Sequence, residues 1–128
     1  MRLTRYYRAS PDEVWAAITD ASSIARWLAP VHDLDLAPGG NLELKLDSGA
    51  RLLARVRAVQ TERLLELDWT PPGEEPSVVR FELTPDGDGT VLALDHRLID
   101  ARVGMCAMSR WETHLTRLDV LIGEVEAR

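Results

Sequence analysis

The hydrophobic period of the chain changes from two residues to a helical one at about Ala101, and this change limits the possible folds most. Before that point, several segments alternate apolar and polar residues, as strands with one buried face do. After it, apolar residues follow one helical stripe: Met108, Trp111, Leu115, Leu118, Ile122 and Val125. Strands with one polar face need one cover, and only the last helix is long enough to supply it. The pattern predicts an α+β fold, a sheet packed against a long C-terminal helix.

Alternation also predicts which side chains face the core. A short first segment places Leu3, Arg5 and Tyr7 on one side. The later segments are expected to turn inward Leu42, Leu44 and Leu46; Ala54, Val56 and Ala58; Leu65, Leu67 and Trp69; Val79, Phe81 and Leu83; and Leu92, Leu94 and His96. The stretch PDGDG at 85–89 predicts the turn of a hairpin between the last two segments.

Two short helices are predicted after the first strand. Ser10, Pro11 and Glu13 form the pattern of a capped helix start, in which Ser10 and Glu13 bond each other's backbone N–H groups. Asp20 or Ser22 is expected to cap the second helix. The two helices are expected to brace one corner of the sheet.

Length and composition indicate one domain over residues 1–128, without internal repeats. The net charge of −6 comes from interspersed acidic and basic residues, which argues against nucleic acid as a partner. A single cysteine, Cys106, excludes an internal disulfide and suggests a reducing compartment. No leader pattern and no apolar run of membrane-spanning length is present, so we expect a cytoplasmic protein without membrane insertion.

Five motifs in order give the chain a resemblance to the SRPBCC/START-like (Bet v 1-like) superfamily. They are ASPDEVW, TD…RWL, PGG, ERLLELDW and DGTVLALDH, followed by a final helix with a tryptophan. Within it, the chain is most similar to the branch named after the activator of Hsp90 ATPase, the AHSA1-like proteins. The resemblance covers the whole chain. It implies a helix-grip fold, in which a curved antiparallel sheet wraps around the long C-terminal helix, with a cavity between them.

The resemblance implies that this cavity binds a small hydrophobic or amphipathic molecule, such as a lipid, in a carrier or sensor. The residues expected to line it are Trp27, Leu44, Val56, Trp69, Phe81, His96, Met105, Met108, Trp111 and Leu115. Ala54, Val56 and Ala58 make one wall shallow, and either a ligand or the large rings of the core would fill that space. His96 is expected to give the ligand its directional polar contact, unless the backbone or Asp95 satisfies it instead. Arg5 would either reach an acidic ligand group or pair with a carboxylate at the sheet edge.

Common catalytic and metal-binding patterns are missing from the sequence. Cys106 and His114 are two helical turns apart and cannot form a nucleophile–base pair alone. His32, His96 and His114 fall on a loop, a strand and a helix, without metal-ligand spacing. The Asp86–Gly89 stretch resembles the start of a calcium loop, but its closing position is not a glutamate. No cofactor or metal is therefore expected, and an enzyme is not favoured.

Two alternatives remain open. The wider superfamily includes polyketide cyclases and aromatases. If this chain is such an enzyme, His96 or His32 would act as its general acid or base. The other alternative is a chaperone-linked or dimeric interaction protein, so monomer and homodimer are both retained. Family members commonly have glycine before the helix tryptophan, whereas this chain has Arg110 there, which is expected to crowd or gate the cavity mouth.

Overall fold

The computed structural model describes the backbone of residues 1–97 and 101–126, and the side chains of residues 1–97 and 107–124. The elements are β1 (Arg2–Tyr7), α1 (Pro11–Thr19), α2 (Ala21–Trp27), β2 (Val31–Leu34), β3 (Asn41–Lys45), β4 (Arg51–Gln60), β5 (Leu64–Thr70), β6 (Ser77–Asp86), β7 (Gly89–Arg97) and α3 (Ala101–Glu126). This order confirms the predicted α+β class. Within the described residues, no helix combines the length and apolar character needed to span a membrane.

The strands form one curved antiparallel sheet in the order β1-β7-β6-β5-β4-β3-β2. The inner face of the sheet packs against apolar residues of α3, and the short helices α1 and α2 contact α3. The described residues thus adopt the helix-grip fold. The hairpin turn is as predicted, because Asp86 pairs with Gly89 and Gly87 adopts a φ of +60°.

The apolar residues predicted to face inward lie in the core or pack against it, except Ala58, and His96 is buried as well. Strand β4 has a bulge between Val56, which pairs with Leu67, and Ala58, which pairs with Glu66. Since a bulge inserts one residue, it moves every later side chain of the strand to the other face. Val59 packs against the core where Ala58 was expected.

The expected helix caps differ from the observed contacts. Helix α1 begins at Pro11 as predicted, but the Ser10 side chain does not cap it and donates to the Asp12 carboxylate instead. Asp20 is the N-cap residue of α2 by position, without a side-chain capping bond. Strand β2 was not predicted, because its four residues do not alternate; it pairs with β3 across an irregular register.

A buried carboxylate on the outer face ties together the strands that carry the site described below. Glu66 of β5 receives ion pairs from Arg57 of β4 (3.2 Å), Arg80 of β6 (2.9 Å) and Arg97 of β7 (3.4 Å). Three guanidinium groups around one carboxylate satisfy its charge although it is buried. The relative positions of β5, β6 and β7 are therefore held from outside as well as by the core.

Candidate functional site

A cavity of about 520 Å³ lies at one end of the sheet, against the part of α3 between Ala107 and His114. We call it the end cavity. Its apolar wall consists of Leu46, Leu52, Trp69, Pro71, Pro72, Ala107 and Trp111. Its polar groups belong to Asp47, Ser48, Glu74, His96, Arg110 and His114. A mostly apolar concave wall with a few polar groups is the usual form of a small-molecule site.

The two large rings of the wall lie side by side. Trp69 on β5 and Trp111 on α3 have ring centroids 5.4 Å apart with a 41° tilt. Phe81 meets Trp111 edge-on at 6.1 Å, and Trp27 meets Phe81 edge-on at 6.3 Å. These rings belong to the same packed core as Ala54. The end cavity lies beside Trp69 and Trp111.

A chain of buried hydrogen bonds links His96 to the Trp111 ring and to the backbone of Trp69. The Trp111 indole N–H donates to His96 Nδ1 at 3.0 Å, and His96 Nε2 lies 2.7 Å from Ser77 Oγ. The Ser77 hydroxyl donates to the Trp69 backbone carbonyl at 3.1 Å. Because an indole nitrogen only donates, Nδ1 must be the acceptor and Nε2 carries the proton. The predicted alternative of a satisfied core histidine therefore describes the geometry, with Ser77 and Trp111 as its partners.

The pKa of His96 is lowered to about 4. Burial is the main cause, and the positive charges of the Met1 amino group and Arg110 add to it. His96 is thus neutral at pH 7, with both nitrogens bonded to protein groups. Although Ser77 and His96 lie at hydrogen-bond distance, they are not a nucleophile–base pair, because the nitrogen facing the hydroxyl already carries a proton.

His114 is a second imidazole in the cavity wall that the sequence patterns did not select. Burial lowers its pKa, nearby Arg117 adds to that effect, and a backbone hydrogen bond with Trp27 opposes it. Its Nδ1 atom is buried and has no hydrogen-bond partner within the described residues. An unsatisfied buried acceptor costs folding free energy.

Charged side chains lie at the mouth of the end cavity. Arg110 on α3 donates a hydrogen bond to Glu74 at 3.5 Å. Glu74 lies in the loop that follows β5. Arg110 is therefore at the mouth, where the departure from the family pattern suggested it would be. Asp47 and Ser48 belong to the turn between β3 and β4 on the other side.

The residues expected to line the cavity separate into groups. Trp69, His96 and Trp111 line the end cavity. The packed core instead contains Trp27, Leu44, Val56, Phe81 and Leu115. Met108 is 40% exposed and is not part of the wall, and the side chain of Met105 lies outside the described residues.

Helical spacing indicates four wall residues, two of which, Ala107 and His114, lie outside the residues predicted from the sequence to line the cavity or gate its mouth. Ala107, Arg110, Trp111 and His114 follow the spacing i, i+3, i+4, i+7, and all four line the cavity. The core stripe shares Trp111 with them but continues along Leu115 and Leu118. The part of the cavity wall that α3 contributes is thus the helix face beside the core stripe. Ala107 lines the cavity, where Met108 was expected to do so.

The other polar residues considered from sequence lie elsewhere. His32 on β2 is half-exposed and 4.0 Å from Glu43. Arg5 lines a separate cavity of about 320 Å³ beside Tyr7 and Asp119, which hydrogen-bond each other at 2.7 Å. Neither His32 nor Arg5 lines the end cavity.

Comparison with known proteins agrees with this architecture. The family model described as activator of Hsp90 ATPase homolog 1-like protein matches residues 8–123. Protein MLL2253 from Mesorhizobium loti is similar in structure with a TM-score of 0.87, at 26% identity over 97% of this chain and 96% of that chain. CalU16 from Micromonospora echinospora gives a TM-score of 0.85, at 30% identity over 94% of this chain and 74% of that chain. No curated protein matches the chain.

A third solved structure shares the fold at lower identity. Protein CV1439 from Chromobacterium violaceum has a TM-score of 0.82, at 21% identity over 95% of each chain. Helix-grip proteins of similar length thus superpose on almost the whole chain although most residues differ.

Proposed function

Because the chain belongs to the activator of Hsp90 ATPase homolog 1-like family, a branch of the SRPBCC superfamily, we propose that it binds a small hydrophobic or amphipathic molecule in the end cavity. The observation that carries this proposal is the volume of about 520 Å³ beside the paired rings of Trp69 and Trp111. Pockets that enclose small organic molecules generally measure roughly 300–1,000 Å³. The protein would act as a carrier or sensor.

The rigidity of the wall supports binding. Trp111 is held by the hydrogen bond to His96, by Phe81 and by Trp69, so its ring is ordered before a ligand arrives. A preorganised wall lowers the entropy lost on binding. The imidazole of His96 is engaged on both sides, and its role in the proposal is to position Trp111 rather than to contact the ligand.

A larger side chain at Ala107 is expected to block the end cavity. Ala107→Phe should weaken the binding of the neutral dye Nile red by at least about tenfold, equivalent to ~1.4 kcal/mol, because the new ring occupies cavity volume. Ala107→Leu should weaken it less. The measurement is the dye's fluorescence during titration with each variant, after thermal unfolding has shown that the variant is folded.

The adjacent Met108 provides a matched control. Met108→Phe makes the same kind of enlargement on the exposed side of the helix, so it should bind the dye as the unchanged protein does. Equal binding by folded Ala107 variants and the unchanged protein would place the dye elsewhere and contradict the proposal. A protein that does not bind the dye at all would contradict it as well.

A further inference from the structure

Among the described residues, two carboxylates and one guanidinium lie at the mouth of the end cavity. Glu74 is already paired with Arg110. The side chain of Asp47 forms no hydrogen bond or ion pair within the described residues, although it lines the same cavity. An incoming molecule therefore meets one negative charge that the described part of the protein does not neutralise.

The imidazoles of the wall add no positive charge at neutral pH. Burial lowers the pKa of both His96 and His114, so both rings are neutral at pH 7. The other cations that affect these pKa values, the Met1 amino group and Arg117, do not line the cavity. Arg110 is thus the cation of the described wall, and Glu74 balances it.

Two polar groups of the described wall are acceptors that lack a partner. The Asp47 carboxylate accepts hydrogen bonds only, and neutral His114 has an unpartnered Nδ1. The faces of Trp69 and Trp111 also attract cations through their negative π density.

We propose that the end cavity prefers amphipathic molecules with a protonated amine, the apolar body lying against Trp69 and Trp111 and the ammonium group directed toward Asp47. The inference rests on the proposed binding function and specifies the class of its ligand. The Asp47 carboxylate would repel a ligand of the same shape that ends in a carboxylate. A neutral alcohol would lack the electrostatic attraction to Asp47.

Three probes with one apolar body test the inference: phenylbutylamine, phenylbutanol and phenylbutyrate. Isothermal titration calorimetry at pH 7 and low salt is expected to give the tightest binding for the amine. The amine should bind about tenfold more tightly than the carboxylate, as expected for one exposed ion pair plus a cation–π contact. Higher salt should narrow this difference, because Asp47 is exposed.

Asp47→Asn removes the charge while keeping the size of the side chain. It should reduce the preference for the amine over the carboxylate to roughly threefold or less, because the ion pair between the ammonium group and the exposed Asp47 carboxylate is lost. Glu13→Gln, on helix α1 and away from the cavity, changes the net charge equally and should leave the preference intact.

Each outcome bears on a different statement. Phenylbutanol binding without a preference for the amine would overturn the inference and leave the proposed function standing. A preference that persists in Asp47→Asn would overturn the assignment of the ammonium to Asp47. Absence of binding by all three probes would contradict the proposed function itself.

Discussion

Replacing Trp111 with alanine is expected to lower the free energy of unfolding by about 4 kcal/mol, since truncation of a buried tryptophan leaves a large cavity. The ring is buried and touches Trp69, Phe81, His96 and His114. Its loss also leaves His96 Nδ1 without a donor. Urea denaturation of the variant and the unchanged protein measures the difference.

Trp111→Phe separates the volume of the ring from its hydrogen bond. Phenylalanine fills most of the space but has no N–H, so this variant should lose about 2 kcal/mol, the cost of a buried acceptor without its donor. Val120→Ala, on the exposed side of the same helix, should change stability by no more than ~0.5 kcal/mol. A loss below ~1 kcal/mol for Trp111→Ala would show that the ring is not packed as described.

Acidification from pH 7 to pH 4 is expected to remove about 3 kcal/mol of stability through His96 alone. The pKa of the buried imidazole is about 4, against 6.5 for a histidine in solution. Above pH 6.5 neither state binds the proton. Between pH 6.5 and about 4, His96 binds a proton in the unfolded chain but not in the folded protein, so stability falls as the pH falls. Below about 4 both states bind it and the loss levels off.

His96→Gln provides the control for this titration. The amide can accept from Trp111 and donate to Ser77, but it does not titrate in this range. The variant's stability should therefore depend less steeply on pH between 6.5 and 4 than that of the unchanged protein, as measured by urea denaturation at several pH values. His114→Gln, measured in parallel, isolates the contribution of His114, which acts in the same direction. Equal slopes of stability against pH for the His96 variant and the unchanged protein would contradict the assignment of this pH dependence to His96.

Alternation predicted the parts of the site that lie on regular strands. Trp69 and His96 were expected to face inward because residues two apart share one side of a strand, and they do so. Ala58 failed because a bulge at Arg57 has no signature in the pattern of apolar residues. A local insertion of one residue is decided by how β4 pairs with β5, which periodicity does not contain.

The residues at the mouth of the cavity were harder to predict from the sequence. Asp47 and Glu74 belong to turns, which have no period, and only the closure of the sheet brings them near the same helix. Ala107 and Met108 show another limit: adjacent residues on a helix face directions about 100° apart, and an apolar residue at either position fits a broad stripe. Tertiary packing made Ala107 the wall residue and left Met108 exposed.

The four tryptophans of the chain offer the most direct test of binding in the end cavity. Each indole N–H gives a separate signal in the nuclear magnetic resonance spectrum of nitrogen-labelled protein, and Trp→Phe variants assign the signals. During titration with phenylbutanol, the signals of Trp69 and Trp111 should shift, because both rings line the cavity. Those of Trp15 and Trp27 should stay in place. Shifts confined to Trp15 and Trp27, or no shift at all, would contradict the account.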